Sequence, residues 1–326
     1  MRGAENPNVK ESRYVKFSWN HIDHLPALGV LDYQPKAGAF RMYREGFFSG
    51  QALCSFPAIK EKRKLAALGC CAYCGRTRDP NGKLLELTSE HVIPEFLGAG
   101  LELPEASCAD CQTATSGFEN SIAQEMFDPV RKVLLLKGKG GLSRKLNFPL
   151  DVGRETTDRQ MIPVIHYPTV LVMPGLYPAS SYSNRPFESN GLFNFMMYNI
   201  NAEAAALAKY DVETASTQSV DLARFCQMVA KIGLVYAANH FGRGALSQTL
   251  ADFIRTPLPP QTPSVSHFNH VGGLWQQKAA ATHSLHEIEV GHIEWNGGRF
   301  AAARVQLFAC YGMPSYYVTV GRATRA

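Results

Sequence analysis

The stretch that decides the reading runs from Cys71 to Glu119. It contains Cys71-Ala72-Tyr73-Cys74, then Glu90-His91-Val92-Ile93-Pro94, then Cys108-Ala109-Asp110-Cys111, and finally Glu119. Two Cys-x-x-Cys pairs bracket an acid–histidine dipeptide. Each pair supplies two thiolates on a short knuckle, and two knuckles close a tetrahedral zinc site. Cys70 offers a Cys-x3-Cys spacing to Cys74, which suits a knuckle less well, so Cys71 is taken as the ligand and Cys70 as a spectator or alternate. Cys54, Cys226 and Cys310 stand singly among apolar residues and read as ordinary buried thiols.

The segments between the knuckles have their own punctuation. Asp79-Pro80-Asn81-Gly82 is a turn. Leu84 to Thr88 reads as a strand that delivers Glu90 and His91. Pro94 and Gly98-Ala99-Gly100 mark a loop. Thr113 to Phe127 reads as a helix that Asp128-Pro129 ends.

A neutral imidazole with one nitrogen fixed can deprotonate water near neutral pH, which makes His91 a candidate general base. Phosphodiester hydrolysis also needs charge stabilisation at the phosphate, and one divalent metal can supply it. Glu90, Gln112 and Glu119 are oxygen donors of the kind Mg²⁺ or Mn²⁺ prefers. Gln112 and Glu119 lie about two helical turns apart and share a face. A knuckled zinc site beside a histidine and carboxylates is equipment for metal-assisted hydrolysis of nucleic acid.

On these residues the segment from about 70 to 128 resembles the HNH endonuclease, or ββα-metal, superfamily. It is most similar to the branch with a four-cysteine zinc cluster and an EHVIP…LGG…ASC..C pattern. The matching residues are Glu90-His91-Val92-Ile93-Pro94, Leu97-Gly98-Ala99-Gly100 and Ala106-Ser107-Cys108. The resemblance implies a β-hairpin followed by a helix that grips one divalent ion. It implies His91 as general base, Glu90 as a metal ligand, and Glu119 in the place of the family's final histidine. Gln112 stands where the family usually has asparagine, and Ala99 where the pattern has its second loop glycine.

The rest of the chain is read around this module. The 326 residues are 45% hydrophobic and 19% charged, with a formal net charge of +5, as in a folded protein rather than a disordered one. The pI of about 8.7 permits nucleic-acid binding without the dense basic stripe of a dedicated binder. The start is polar with no apolar leader, and no apolar run reaches the roughly 18 residues needed to span a bilayer. A cytoplasmic setting, with reduced thiols and no membrane, follows as the expectation.

Residues 1–68 read as an aromatic-rich, irregular lead with a basic helix over residues 57–68. Residues 69–129 form the zinc-stapled module, and residues 130–326 a larger accessory region with recognition or partner contacts as its unassigned role. The expected class is α+β. Lys62, Arg63 and Lys64 of the basic segment, with Arg76 and Arg78 beside the first knuckle, are candidate phosphate contacts. Arg131 to Lys145 read as a basic, glycine-interleaved connection. In the last region, residues 161–173 read as strand with a proline break. Residues 219–240 are the clearest helix, with Gly242 as its cap. Gly244 to Ile254 read as a second helix and Pro257 to Pro263 as a stiff linker. Residues 287–295, 301–311 and 315–321 read as strands, and the five histidines from His267 to His292 as non-catalytic.

The function this supports is a metal-dependent endonuclease acting on DNA, in restriction or phage defence. Zinc would be structural, and Mg²⁺ or Mn²⁺ catalytic. The alternative is a zinc-stapled nucleic-acid- or protein-binding module that has lost cleavage, for which Gln112 is the pointer. A third reading is a zinc protein of unrelated function. Nucleic acid is the expected partner, and no residue pattern marks a dimer interface.

Overall fold

In the computed structural model the described residues are 16–19, 46–57, 62–98, 100–136, 147–151, 159–183, 192–200, 214–217, 220–258, 269–274 and 282–322. They form a mixed α+β architecture, organised by one helix that is buried on every side.

The largest sheet has five antiparallel strands. In spatial order they are β11 (Val271–Gly272), β14 (Ser315–Arg322), β13 (Gly298–Leu307), β12 (Ser284–Trp295) and β2 (Gly46–Pro57). The β12–β13 hairpin turns on Asn296 and Gly297, both at positive φ, as a tight two-residue connection requires. Ile288 and Val290 of β12 enter the core, while Glu287 and Glu289 bond Arg304 on β13. This is the period-two alternation of a sheet with one face inside.

Across the inner face lies helix α4 (Leu222–Phe241). Asp221 caps its start by accepting from the Arg224 N–H at 3.0 Å, and Gly242, at φ 74°, ends it. The sequence predicts one apolar face for this helix. The structure instead buries almost every residue from Ala223 to Ala238, because the helix has partners on both sides. One side meets β12, β13 and β14. The other meets α1 (Ala109–Glu125) and α5 (Gln248–Arg255). Gly233 permits the closest approach, since a Cβ there would stand 2.9 Å from Val318 of β14. Buried Gln227 donates to the carbonyls of Phe253 and Thr256, at 2.9 and 2.8 Å, and so satisfies the last turn of α5.

The zinc-knuckle segment packs on the far side of this helix. Strands β4 (Thr88–His91) and β5 (Gly100–Ser107) pair antiparallel, with Glu90 opposite Leu103, and α1 follows β5 directly. Strand, strand and helix thus follow one another directly along the chain. The predicted strand over Leu84–Thr88 is displaced: β4 overlaps it only at Thr88 and runs to His91, while Leu84 makes an isolated bridge to Arg78. The predicted loop around Gly98–Gly100 gives way to β5 almost at once.

The predicted helix over residues 57–68 is overturned. Lys62–Lys64 form strand β3, which adds parallel to β5 through Lys62–Gly100 pairing. The free edge of the hairpin recruits the segment, and that tertiary pairing overrides its lysine-rich helix propensity.

The remaining described elements are α2 (Asp128–Val133), α3 (Ser180–Ser183) and three two-stranded pairs. The pairs are β1 (Lys16–Trp19) with β10 (Thr214–Thr217), β6 (Asn147–Asp151) with β7 (Arg159–Pro163), and β8 (Val170–Leu176) with β9 (Leu192–Asn199). The predicted strand over 161–173 with its proline break appears as the end of β7, a short turn of 3-10 helix and the start of β8. Most of the predicted linker Pro257–Pro263, most of the glycine-interleaved basic connection and most of the lead before Gly46 lie outside the described residues. One hydrophobic core runs from Phe56 to Val320 and includes Leu97, Phe118, Phe225 and Val305. It crosses both sequence boundaries drawn above, and β2, from the lead, completes the C-terminal sheet.

Candidate metal centre and its acid–lysine neighbour

Two sites arise where the knuckle segment meets α4. The first is the cysteine cluster. The sulfurs of Cys71, Cys74, Cys108 and Cys111 all lie within 4.8 Å of one another. Among the described residues this is the only such group of candidate metal ligands. The Cys74 and Cys108 sulfurs are 3.8 Å apart. Zinc–sulfur bonds of about 2.3 Å in a tetrahedron require an edge of about 3.8 Å, so the donor set fits zinc.

The local chain explains the convergence. Gly75, at φ 72°, lets its N–H return to the Cys71 carbonyl at 2.8 Å and closes the first knuckle. The second knuckle is the N-terminal turn of α1, with Cys108 as its N-cap. Ala72 N–H bonds Ala106 O at 2.8 Å and ties the two together.

Cys71 accepts a hydrogen bond from the Cys111 thiol and is held by backbone N–H groups, which pulls it down to about 4. Cys111 is pushed above the ordinary thiol range by that same bond. Arg76 donates from Nε to Cys74 Sγ at 3.3 Å and reaches Asp110 at 3.1 Å, while Arg255 of α5 lies near enough to Cys111 to feel its charge. These guanidinium groups offset the negative charge of a four-thiolate zinc centre. Cys70 stands outside the cluster, its thiol raised chiefly by burial. Cys226 is buried as expected, whereas Cys54 and Cys310 are half-buried.

The second site is an acid–lysine centre. Lys231, from the middle of α4, is fully buried. Its Nζ lies 2.8 Å from Glu90 Oε1 and 2.9 Å from Glu119 Oε1, and it donates to the His91 carbonyl. Glu90 comes from the inward face of β4 and Glu119 from the inner face of α1. Burial opposes the ammonium, but the two carboxylates outweigh it and raise the Lys231 pKa. Burial raises the Glu119 pKa against the pull of Lys231. Tyr73 of the first knuckle also borders this centre, its pKa raised by burial and then by the charges of Glu90 and Glu119.

His91 follows Glu90 but points elsewhere. Its side chain is 30% exposed, and Nε2 sits 3.4 Å from Glu95 Oε1. Its Nδ1 is buried without a hydrogen-bond partner among the described residues.

The structure therefore brings Glu90 and Glu119 together on Lys231, with the His91 carbonyl but not its ring, and leaves Gln112 out. That residue is exposed in the first turn of α1, beside Cys111 and away from Lys231. The predicted phosphate-binding residues do not gather at His91 either. Arg63 stacks 4.8 Å over Phe56 and donates to Ser55 O, Lys64 pairs with Glu102, and Arg78 donates to Gly82 O. Arg76 serves the cysteine cluster, and the Lys62 side chain lies outside the described residues.

Sequence reading missed three residues: Lys231, Tyr73 and His286. Lys231 had a signal, as the one charge inside the apolar run from Phe225 to Tyr236. His286, buried on β12, accepts from the Phe308 N–H at Nδ1 (3.1 Å), so its Nε2–H donates to Leu97 O at 2.8 Å. It anchors the turn after His91 to the large sheet.

Burial pulls the His286 pKa from the ordinary 6.5 down to about 4. The folded state then binds fewer protons than the unfolded state between these values. Stability is complete above the unfolded value and declines as pH falls from about 6.5 to about 4, by roughly 3 kcal/mol. Urea midpoints of the parent should fall more steeply over that window than those of His286→Gln, which does not titrate. Parallel profiles would remove His286 as the cause.

Comparison with protein-family models, curated proteins and solved structures finds no match for this chain.

Proposed function

We propose that the chain is an endonuclease of the HNH type, hydrolysing nucleic-acid phosphodiester bonds, with DNA as the first substrate to test. One observation carries the reading: a strand–strand–helix unit, with a zinc-compatible four-cysteine site joining its ends, presents a solvent-reaching histidine. Such a closed four-sulfur zinc site has no open position, so its contribution is rigidity rather than Lewis acidity.

His91 is the base. Its Nε2 side reaches solvent and takes a proton from water. The resulting hydroxide attacks phosphorus, the phosphorus–oxygen bond to the leaving sugar oxygen breaks, and that oxygen takes up a proton from solvent water. Glu95, 3.4 Å away, favours the imidazolium that forms. The Mg²⁺ or Mn²⁺ that the resemblance implies would be held by Glu90 and Glu119. Those carboxylates already meet on the Lys231 ammonium, so the residues present do not fit a second cation between them, and the proton transfer rests on His91.

Supercoiled plasmid incubated with Mg²⁺, with Mn²⁺ or with EDTA tests this. The parent should nick, and His91→Ala should lose about 10²- to 10⁴-fold in rate. Equal rates for both proteins would defeat the base assignment.

A second reading is favoured by Lys231 itself: a zinc-stapled nucleic-acid-binding module that does not cleave. It predicts no nicking by either protein and binding that His91→Ala leaves unchanged.

A further inference from the structure

We propose that Lys231 is the resident cation of the Glu90–Glu119 site, so that the folded chain binds no Mg²⁺ or Mn²⁺ there, and that removing this side chain opens a divalent-metal site. The inference rests on reading Glu90 and Glu119 as the cation-binding carboxylates of the module. It does not depend on whether the module cleaves nucleic acid.

The argument is geometric. Two carboxylate oxygens, from β4 and α1, stand 2.8 and 2.9 Å from one point, and that point is Nζ. The His91 carbonyl supplies a third oxygen to the same ammonium. Three oxygens converge on the ammonium: the His91 carbonyl accepts from it, and the two carboxylates lie at ion-pair distance. They are also hard donors of the kind Mg²⁺ and Mn²⁺ take. A divalent ion bound to the two carboxylates at about 2.0–2.2 Å would have to occupy the space of Nζ. The two cations exclude each other.

The ammonium also has no easy exit. Its stem leaves the centre of α4, which is fixed by the Asp221 cap, by Gln227 on the end of α5 and by the close approach of Gly233 to Val318. Lys231 itself is fully buried. A region outside the module thus decides what the module's carboxylates bind.

The test is Mn²⁺ binding to the zinc-loaded full chain, followed by the electron paramagnetic resonance of free Mn²⁺, without nucleic acid. The parent should show no Mn²⁺ site that Glu119→Gln removes, up to millimolar metal. Lys231→Met keeps the stem but not the charge. It should gain one site at least 100-fold tighter than any in the parent, and Lys231→Met with Glu119→Gln should lose it.

A parent that binds one Mn²⁺ through Glu119 would overturn the proposal, as would folded Lys231→Met that gains none. If Lys231→Met does not fold, the parent decides: a Glu119-dependent site overturns the resident-cation assignment, and its absence supports it. Plasmid nicking in EDTA is scored separately, so failure of the nuclease reading leaves this result standing.

Discussion

Replacing Cys111 with serine is expected to abolish zinc retention and to unfold the knuckle segment while the five-stranded sheet survives. The residues around the first knuckle have little regular structure of their own. Their fixed bonds are few, chiefly Cys71 N–H to Arg76 O, Gly75 N–H to Cys71 O and Ala72 N–H to Ala106 O. Yet Ala72 and Tyr73 are completely buried. A segment with so little secondary structure and so much burial depends on the metal to hold it.

Structural zinc contributes on the order of 10 kcal/mol in small modules. That is comparable with the whole stability of an ordinary domain. The packing of α4 on β12, β13 and β14 does not involve the knuckles, so the loss should be local. Metal analysis should fall from one zinc per chain to none. Hydrogen exchange should accelerate at Ala72 and Gly75 while Val229 and Val305 stay protected. Retained zinc with unchanged exchange would refute the four-cysteine assignment.

The second large effect is on the acid–lysine centre. Lys231→Met, without added metal, should destabilise the chain by about 3–5 kcal/mol, the usual result of removing one member of a buried ion group. The methionine fills the stem's volume, so the loss reflects charge rather than a cavity. Glu90 and Glu119 would be left facing each other in a buried setting.

Adding Glu119→Gln to Lys231→Met should recover part of that loss, because one of the two stranded charges disappears. The signature is non-additivity in a double-mutant cycle of urea unfolding. Additive costs would mean that the 2.9 Å contact between Lys231 and Glu119 carries no coupling.

What the sequence revealed, and what it hid, follows from the range of the interactions. The knuckles were legible because ligand spacing is a local property: two residues between thiols suffice to form a knuckle. Helix α4 and the strands β12, β13 and β14 were legible through periodicity and caps. The segment Lys62–Lys64 was misread because its composition favours helix, while its conformation is set by pairing with β5. The lead was separated from the C-terminal region because nothing local in Gly46–Pro57 says that it will pair with β12.

Glu90 and Glu119 do meet in the folded chain, but on Lys231, a partner that was not anticipated. A lysine in an apolar helix signals that something compensates it, without saying what. Gln112 shows the converse: helical spacing put it on the same face as Glu119, but two turns along α1 carry it to the exposed end.

The position of Lys231 in the chain has a consequence for the order in which the protein is made. Synthesis runs from the N-terminus, and segments can begin to fold as they emerge. Both knuckles and both carboxylates are complete once Glu119 has been added. Their ammonium arrives only with residue 231. For that interval Glu90 and Glu119 lack the ammonium they meet in the folded chain. Docking of α4 then ends the interval. The same helix that completes the core therefore also neutralises the two carboxylates.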